Sequence, residues 1–189
     1  MSWNEEIKKE LKYCGTDVYI GDYVIFTNPQ NVILHSRVRI DPFCLITTAL
    51  IVGSSSHICS HAILGGGDQQ KIILEGWNFI GYGSKLFTAS EDYSGEHGAV
   101  CEFWGNNKIY RGDIIFSRFS GIASDVIVFP GIELPEGCTI GAKSFVYTKD
   151  NNILIPWSVW FGNPLRFHKS RNKNKIISSV NDKHWLKER

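Results

Sequence analysis

A bulky apolar side chain returns every six residues along most of this chain. Leu34, Ile40, Ile46, Val52, Ile58 and Leu64 keep the interval without a gap. After a short interruption it resumes with Leu74, Ile80 and Leu86, and after a longer one with Phe116, Ile122, Val128, Leu134, Ile140 and Val146. A helix repeats its apolar face every 3.6 residues and a strand every 2, so a period of six fits neither over this distance. It fits a short strand followed by a corner, wound again and again into a coil: a parallel β-helix of hexapeptide repeats.

A second column supports the same winding. Four residues after each anchor the side chain is small or modestly apolar: Val38, Cys44, Ser56, Ala62, Ser84, Ser120, Val126, Cys138 and Ser144. The corner of a narrow prism has little room, so small groups are expected there. Three hexads close one triangular turn. Roughly five to six coils then stack, and at a spacing of about 4.8 Å the prism is roughly 25 Å tall. The fold class expected is all-β, a parallel β-helix with a short N-terminal helix, a loop near 88–108 and a C-terminal tail.

The chain of 189 residues reads as one domain in three parts. Residues 1–17 form a cap, 18–150 the coils with the insertion at 88–108, and 151–189 an extension. Within the cap, Ser2 and Glu5 make a capping-box pattern, and Trp3, Ile7 and Leu11 recur at helical spacing. An amphipathic helix there covers the open edge that a coil leaves at its end. The run from Gly65 to Gln70 reads as a turn or small loop, because three glycines permit positive φ. The tail suggests a last helix from Ile176 to Leu186.

Composition narrows the function. The hydrophobic share of 43% excludes general disorder, and a formal charge of +1 argues against nucleic-acid binding by phosphate neutralisation. No apolar stretch approaches the ~20 residues of a membrane span. The N-terminus lacks a basic-then-apolar signal sequence, so a cytoplasmic protein is the expectation. The five cysteines are odd in number and form no CxxC pair, which suits free thiols in a reducing compartment.

The run Ile122 to Lys149, with Pro130-Gly131-Ile132, Ile140-Gly141-Ala142-Lys143-Ser144 and Tyr147-Thr148-Lys149-Asp150, resembles the final coils of hexapeptide-repeat acetyltransferases. Trp160-Phe161-Gly162-Asn163-Pro164-Leu165-Arg166 is similar to the exit sequence of galactoside and maltose acetyltransferases. Ser90-Glu91-Asp92-Tyr93-Ser94-Gly95 resembles a subgroup encoded with surface-polysaccharide and unusual-sugar pathways. The resemblance covers residues 18 to 171. It implies a left-handed coil, a homotrimer with the site between subunits, and acetyl-CoA as donor. The acceptor implied is an amino or hydroxyl group on a nucleotide-linked or polysaccharide-precursor sugar. It also maps coenzyme contacts onto Ala123, Ser124 and Ala142 for the pantetheine arm, and onto Lys149, Arg166 and Lys169 for the phosphates, with no metal expected.

Acetyl transfer needs a base for the acceptor proton, and histidine has the matching pKa. His57 precedes the anchor Ile58 at a prism corner, and its pairing with Ile58 just before a glycine-rich turn matches the sugar-pathway subgroup. His97 lies in the long loop, where the galactoside and maltose enzymes carry a His-Pro pair that this chain lacks. His61 is a third candidate and, with Tyr93, a contact for the sugar. Asp92 and Glu96 are placed to orient the imidazole or to bind sugar hydroxyls. Cys59, two residues from His57, raises covalent transfer through a thiol, but direct attack within a ternary complex is the preferred course. The alternative on the same scaffold is a hydratase like the γ-type carbonic anhydrases, with zinc held by His57, His61 and His97.

Overall fold

The computed structural model describes residues 3–91 and 109–181. Within them the chain winds as a three-sided parallel β-helix. The first face stacks Tyr19–Ile20, Arg39–Ile40, His57–Ile58, Phe79–Ile80, Gly121–Ile122, Thr139–Ile140 and Ser158–Phe161. The second stacks Ile25–Phe26, the first halves of Leu45–Val52 and Ile63–Leu74, then Lys85–Phe87, Ile127–Val128 and Phe145–Val146. The third stacks Tyr13–Cys14, Val32–Leu34, the second halves of the same two long strands, Ile114–Phe116 and Glu133–Leu134.

Register follows the six-residue anchors. Ile20, Ile40, Ile58, Ile80, Ile122 and Ile140 sit one above another on the first face. All fifteen anchors of the sequence pattern have at most 1% of their surface exposed, and so do the nine small residues of the second column. On the two-residue strands the residue before each anchor faces outward, because neighbouring side chains on a strand point to opposite sides. Backbone N–H groups on either side of an anchor donate to the next coil. Those of Arg39, Asp41, His57 and Cys59 reach the carbonyls of Ser56, Ile58, Asn78 and Ile80 at 2.8–3.0 Å.

The tight turns fall at two corners, three residues after each anchor. Eleven non-glycine residues there adopt positive φ among the described residues. Tyr23, Phe43, His61, Asp125 and Lys143 stand at the corner between the first and second faces. Asp17, Arg37, Ser55, Trp77, Phe119 and Trp157 stand at the corner between the third face and the first. Hence His57 belongs to a strand of the first face, while His61 is the corner residue. The sequence reading placed His57 on the corner itself.

Two insertions interrupt the winding. Gly65 to Gln70 is a bulge inside a continuous strand, where a turn or small loop was expected. Thr48 pairs with Gly67 but Ala49 pairs with Lys71, and Thr48 Oγ1 lies 2.9 and 3.0 Å from the carbonyl oxygens of Gly67 and Gln70. A side chain on Gly66 would collide with Thr88 Oγ1, 2.0 Å from an ideal Cβ. The second insertion leaves the corner between the second and third faces. It begins and ends as a short ribbon, Ala89–Glu91 antiparallel to Ile109–Arg111.

Helix α1 (Trp3–Glu10) covers the lower end, with Ile7 and Leu11 buried against the first coils. At the upper end Ser158–Phe161 folds back as a hairpin antiparallel to Arg166–Ser170. Arg171 then ties the tail to the column, as its Nη1 donates to the carbonyls of Phe119 (2.9 Å) and Gly137 (2.7 Å). The last helix, α2, runs Lys173–Asn181, and the rest of the helix expected to reach Leu186 lies outside the described residues.

Truncating an anchor leaves a cavity that the rigid ladder cannot close. Ile58→Ala should lower unfolding stability by about 2–5 kcal/mol, while Gln69→Ala on the exposed bulge should stay within about 0.5 kcal/mol. Urea denaturation of the two variants checks the contrast. Equal midpoints would contradict this account of the core.

Candidate active site

The first corner gathers the chemistry. Arg39 and His57 are outward-facing neighbours on adjacent coils of the first face, and Asp41 and Cys59 follow their anchors as the strands enter the corner. Asp41 joins the group. Its Oδ1 accepts a hydrogen bond from Arg39 Nε at 2.6 Å, and its Oδ2 lies 2.8 Å from His57 Nε2. Cys59 Sγ is 3.9 Å from the same Nε2. The Asp41 side chain is 6% exposed and that of His57 41%, so a buried carboxylate supports a ring open to solvent. The Arg39 guanidinium also lies over the Tyr19 ring, 4.6 Å from its centre.

This geometry sets the tautomer. A carboxylate accepts only, so Nε2 carries the hydrogen and the lone pair of the neutral ring sits on Nδ1. An oriented imidazole with one acceptor nitrogen is the arrangement a general base requires.

Cys59 is a poor nucleophile here. Partial burial raises its pKa and the Asp41 charge raises it further, against a smaller lowering by Arg39. Cys44, which donates its thiol to the Cys59 carbonyl, is pushed up to about 11, mainly by burial. Thiols held in the protonated form do not attack a thioester at neutral pH.

Three of the residues mapped to the donor share this corner. Ala123, Ser124 and Ala142 lie at its upper end, where Ala123 continues the column of Asp41, Cys59 and Gly81. Two coils separate Cys59 from Ala123, about 10 Å along the edge. The Ala123 carbonyl accepts from Ser84 Oγ, and the Ser124 carbonyl from the Lys143 N–H. Arg166 pairs with Phe161, which ends the same column, whereas Lys169 lies along the first face opposite Val159. Lys149 is not with them. It occupies the next corner, its Nζ over the Tyr147 ring at 5.6 Å.

His61 does not converge with His57. It stacks on Phe43 at 5.2 Å, and Phe43 stacks on Tyr23 at 5.2 Å. The metal-capable grouping among the described residues is Asp41, His57 and Cys59, without His61. Asp92, Tyr93, Glu96 and His97 lie outside the described residues. A cavity of about 400 Å³ opens on the third face beside His35, Glu75, Trp77 and Arg118, and neither Asp41, His57, Cys59 nor His61 lines it.

Sequence reasoning missed Asp41 and Arg39. The signal was present, since 18 residues make one uninterrupted coil. Asp41 precedes Cys59 by 18, and Arg39 precedes His57 by 18. Reading by coils instead of by hexads sets the four side by side.

No protein-family model matches the chain. A dTDP-4-amino-4,6-dideoxy-D-glucose acyltransferase of Escherichia coli is 29% identical over 156 residues, 77% of this chain and 79% of that protein. The structure of AntD, an N-acyltransferase from Bacillus cereus, is similar over the whole chain and 97% of its own, with a TM-score of 0.83 and 27% identity. That AntD variant is in complex with dTDP-4-amino-4,6-dideoxyglucose and coenzyme A, and AntD is also seen with dTDP and 3-hydroxybutyryl-CoA. A maltose O-acetyltransferase from Clostridium difficile shares the fold, at 17% identity and a TM-score of 0.52 over 89% of this chain and 74% of its own. The winding is that of a left-handed β-helix.

The raised pKa of Cys59 sets its reactivity. Because the thiolate is the reacting species, iodoacetamide labelling of Cys59 should be slow at pH 7 and still rising at about pH 9. Peptide mapping by mass spectrometry across the pH series checks this. A plateau near neutrality would mean an activated thiolate.

Proposed function

We propose that this chain, an acyltransferase built on the hexapeptide-repeat column, moves an acyl group from a coenzyme A thioester to the amino group of a nucleotide-linked deoxy sugar. The observation that carries the reading is the coincidence of two things. The whole chain is similar to AntD, whose structures hold such a sugar nucleotide and coenzyme A. The same corner sets a carboxylate-supported imidazole two coils below the residues mapped to the donor.

The proposed reaction is direct. The sugar amine attacks the thioester carbonyl, and His57 Nδ1 takes the proton that the amine gives up. The tetrahedral intermediate collapses, the carbon–sulfur bond breaks, and the imidazolium returns that proton to the departing thiolate. Asp41 stabilises the imidazolium and fixes the ring. Backbone groups of Ala123, Ser124 and Ala142 line the pantetheine arm, and Arg166, Lys169 and Lys149 serve the phosphates. His61 and Tyr93 contact the sugar, and Asp92, Glu96 and His97 add polar groups from the inserted segment.

A single column presents a convex wall, and a pocket needs a second one. His57 stands on the first face beside one corner, while the inserted segment leaves from the next corner, across the second face. We therefore read the active unit as a homotrimer with clefts between columns. The free thiols of Cys14, Cys44, Cys59 and Cys138 are in keeping with the cytoplasm as its compartment. No described helix is long and apolar enough to cross a membrane.

Purified protein given acetyl-CoA and dTDP-4-amino-4,6-dideoxyglucose should release coenzyme A, with initial-rate lines that intersect as a ternary complex demands. His57→Asn should lower kcat/KM by about 10²–10⁴-fold. A variant within threefold of the parent would remove His57 as the base and pass that role to His97, which His97→Asn then tests.

A further inference from the structure

The first corner offers a second chemistry besides proton transfer. Asp41 Oδ2, His57 Nε2 and Cys59 Sγ supply one carboxylate oxygen, one imidazole nitrogen and one sulfur, all within 4.8 Å of one another. A tetrahedral ion with bonds of about 2.0–2.3 Å holds its ligand atoms about 3.3–3.7 Å apart. The observed separations are 2.8 Å (Nε2 to Oδ2), 3.9 Å (Sγ to Nε2) and at most 4.8 Å between the sulfur and the carboxylate, so shifts of up to about an ångström would seat the ion. Two coils contribute the three ligands, and the backbone ladder between those coils fixes their spacing.

We propose that Asp41, His57 and Cys59 form a binding site for one divalent ion of the zinc class, and that the ion switches acyl transfer off. Sulfur and imidazole select zinc over magnesium or calcium, which take oxygen ligands. Arg39 faces the site and holds Asp41 Oδ1, which turns Oδ2 toward the histidine. Hydrogen-bonded carboxylates of this kind orient metal ligands. The guanidinium charge opposes the cation, and the carboxylate and the sulfur, as thiolate, offset it. Three protein ligands leave a fourth position for water, and the half-exposed His57 leaves a path for entry.

Inhibition follows from which nitrogen the ion takes. Metal takes a lone pair on Nε2, so the neutral ring must bind it as the other tautomer, with its single hydrogen moved from Nε2 to Nδ1. The lone pair needed for the acceptor proton is gone. This second half rests on the proposed role of His57 as base; the binding half does not.

The test uses the full-length protein and Co²⁺, whose spectrum reports a thiolate ligand. Titration should give one equivalent per chain and a near-ultraviolet charge-transfer band that added Zn²⁺ abolishes. Cys59→Ser should lose the band, and His57→Ala, a change at a half-exposed side chain that spares the core, should weaken binding at least about tenfold. A thiolate band retained in Cys59→Ser, or no band in the parent, overturns the site. Zn²⁺ should also stop acyl transfer by the parent, and a chelator should restore it. Binding without inhibition would uphold the site and refute His57 as the base. No binding would end the inference and leave His57→Asn to decide the base by itself.

Discussion

Everything in this molecule depends on the hydrogen-bond ladder between coils. A strand of two residues has no stability of its own. It persists because its N–H groups meet the carbonyls of the next coil, and because each coil plants an aliphatic anchor on the one below. The ladder and the anchors demand each other. A coil that slipped by one residue would turn its anchors to solvent and its outward residues into the core. Stacked repeats propagate that demand only to their ends, where an exposed edge invites further strands. Helix α1 covers one end and the returning hairpin covers the other.

The same ladder turns sequence distance into proximity. Eighteen residues along the chain become one step up the column. The core was legible because its signal is periodic, and fifteen anchors in register over two interruptions point to one winding. His57 was legible because it precedes an anchor and must face outward. Asp41 was not, because its partners are one coil away and a reading by hexads never compares positions 41 and 59. The glycine run failed for another reason. Glycines signal freedom of φ, but Thr48 accommodates their extra length as a bulge within the strand.

The tight corners carry a cost. Left-handed backbone costs a non-glycine residue roughly 1–2 kcal/mol, and eleven described residues adopt it. Aromatic side chains offset part of that. Tyr23, Phe43 and His61 stack as one column, and Trp77, Phe119 and Trp157 as another. Aromatic pairs contribute about 0.5–1.5 kcal/mol each beyond their burial, so the four pairs offset only a minor share of the strain. The corner N–H groups are satisfied too, since Phe43 donates to Asp22 and Trp77 to Ser54. Gly137 shows the limit of this pattern. Trp157 lies over it, with ring atoms 2.5 Å from where a Cβ would stand, so a side chain there would push the indole off Phe119.

Function uses what the winding leaves outside. Inward positions are full, so only outward residues and corners carry chemistry, and a single corner holds both the candidate base and most of the residues mapped to the donor. The electrostatics of that corner discriminate between mechanisms. Burial raises the pKa of the Cys59 thiol, and the Asp41 charge that supports an imidazolium raises it further. Acid–base transfer by His57 and covalent transfer through Cys59 therefore compete for one carboxylate, and its bond to the imidazole favours the first. A cation bound between the three would silence both, holding the sulfur as a ligand and the imidazole without a free lone pair. One constellation thus supports proton transfer or metal binding at a given moment, because an ion on Nε2 moves the ring hydrogen to Nδ1, the nitrogen that must stay free to take the proton.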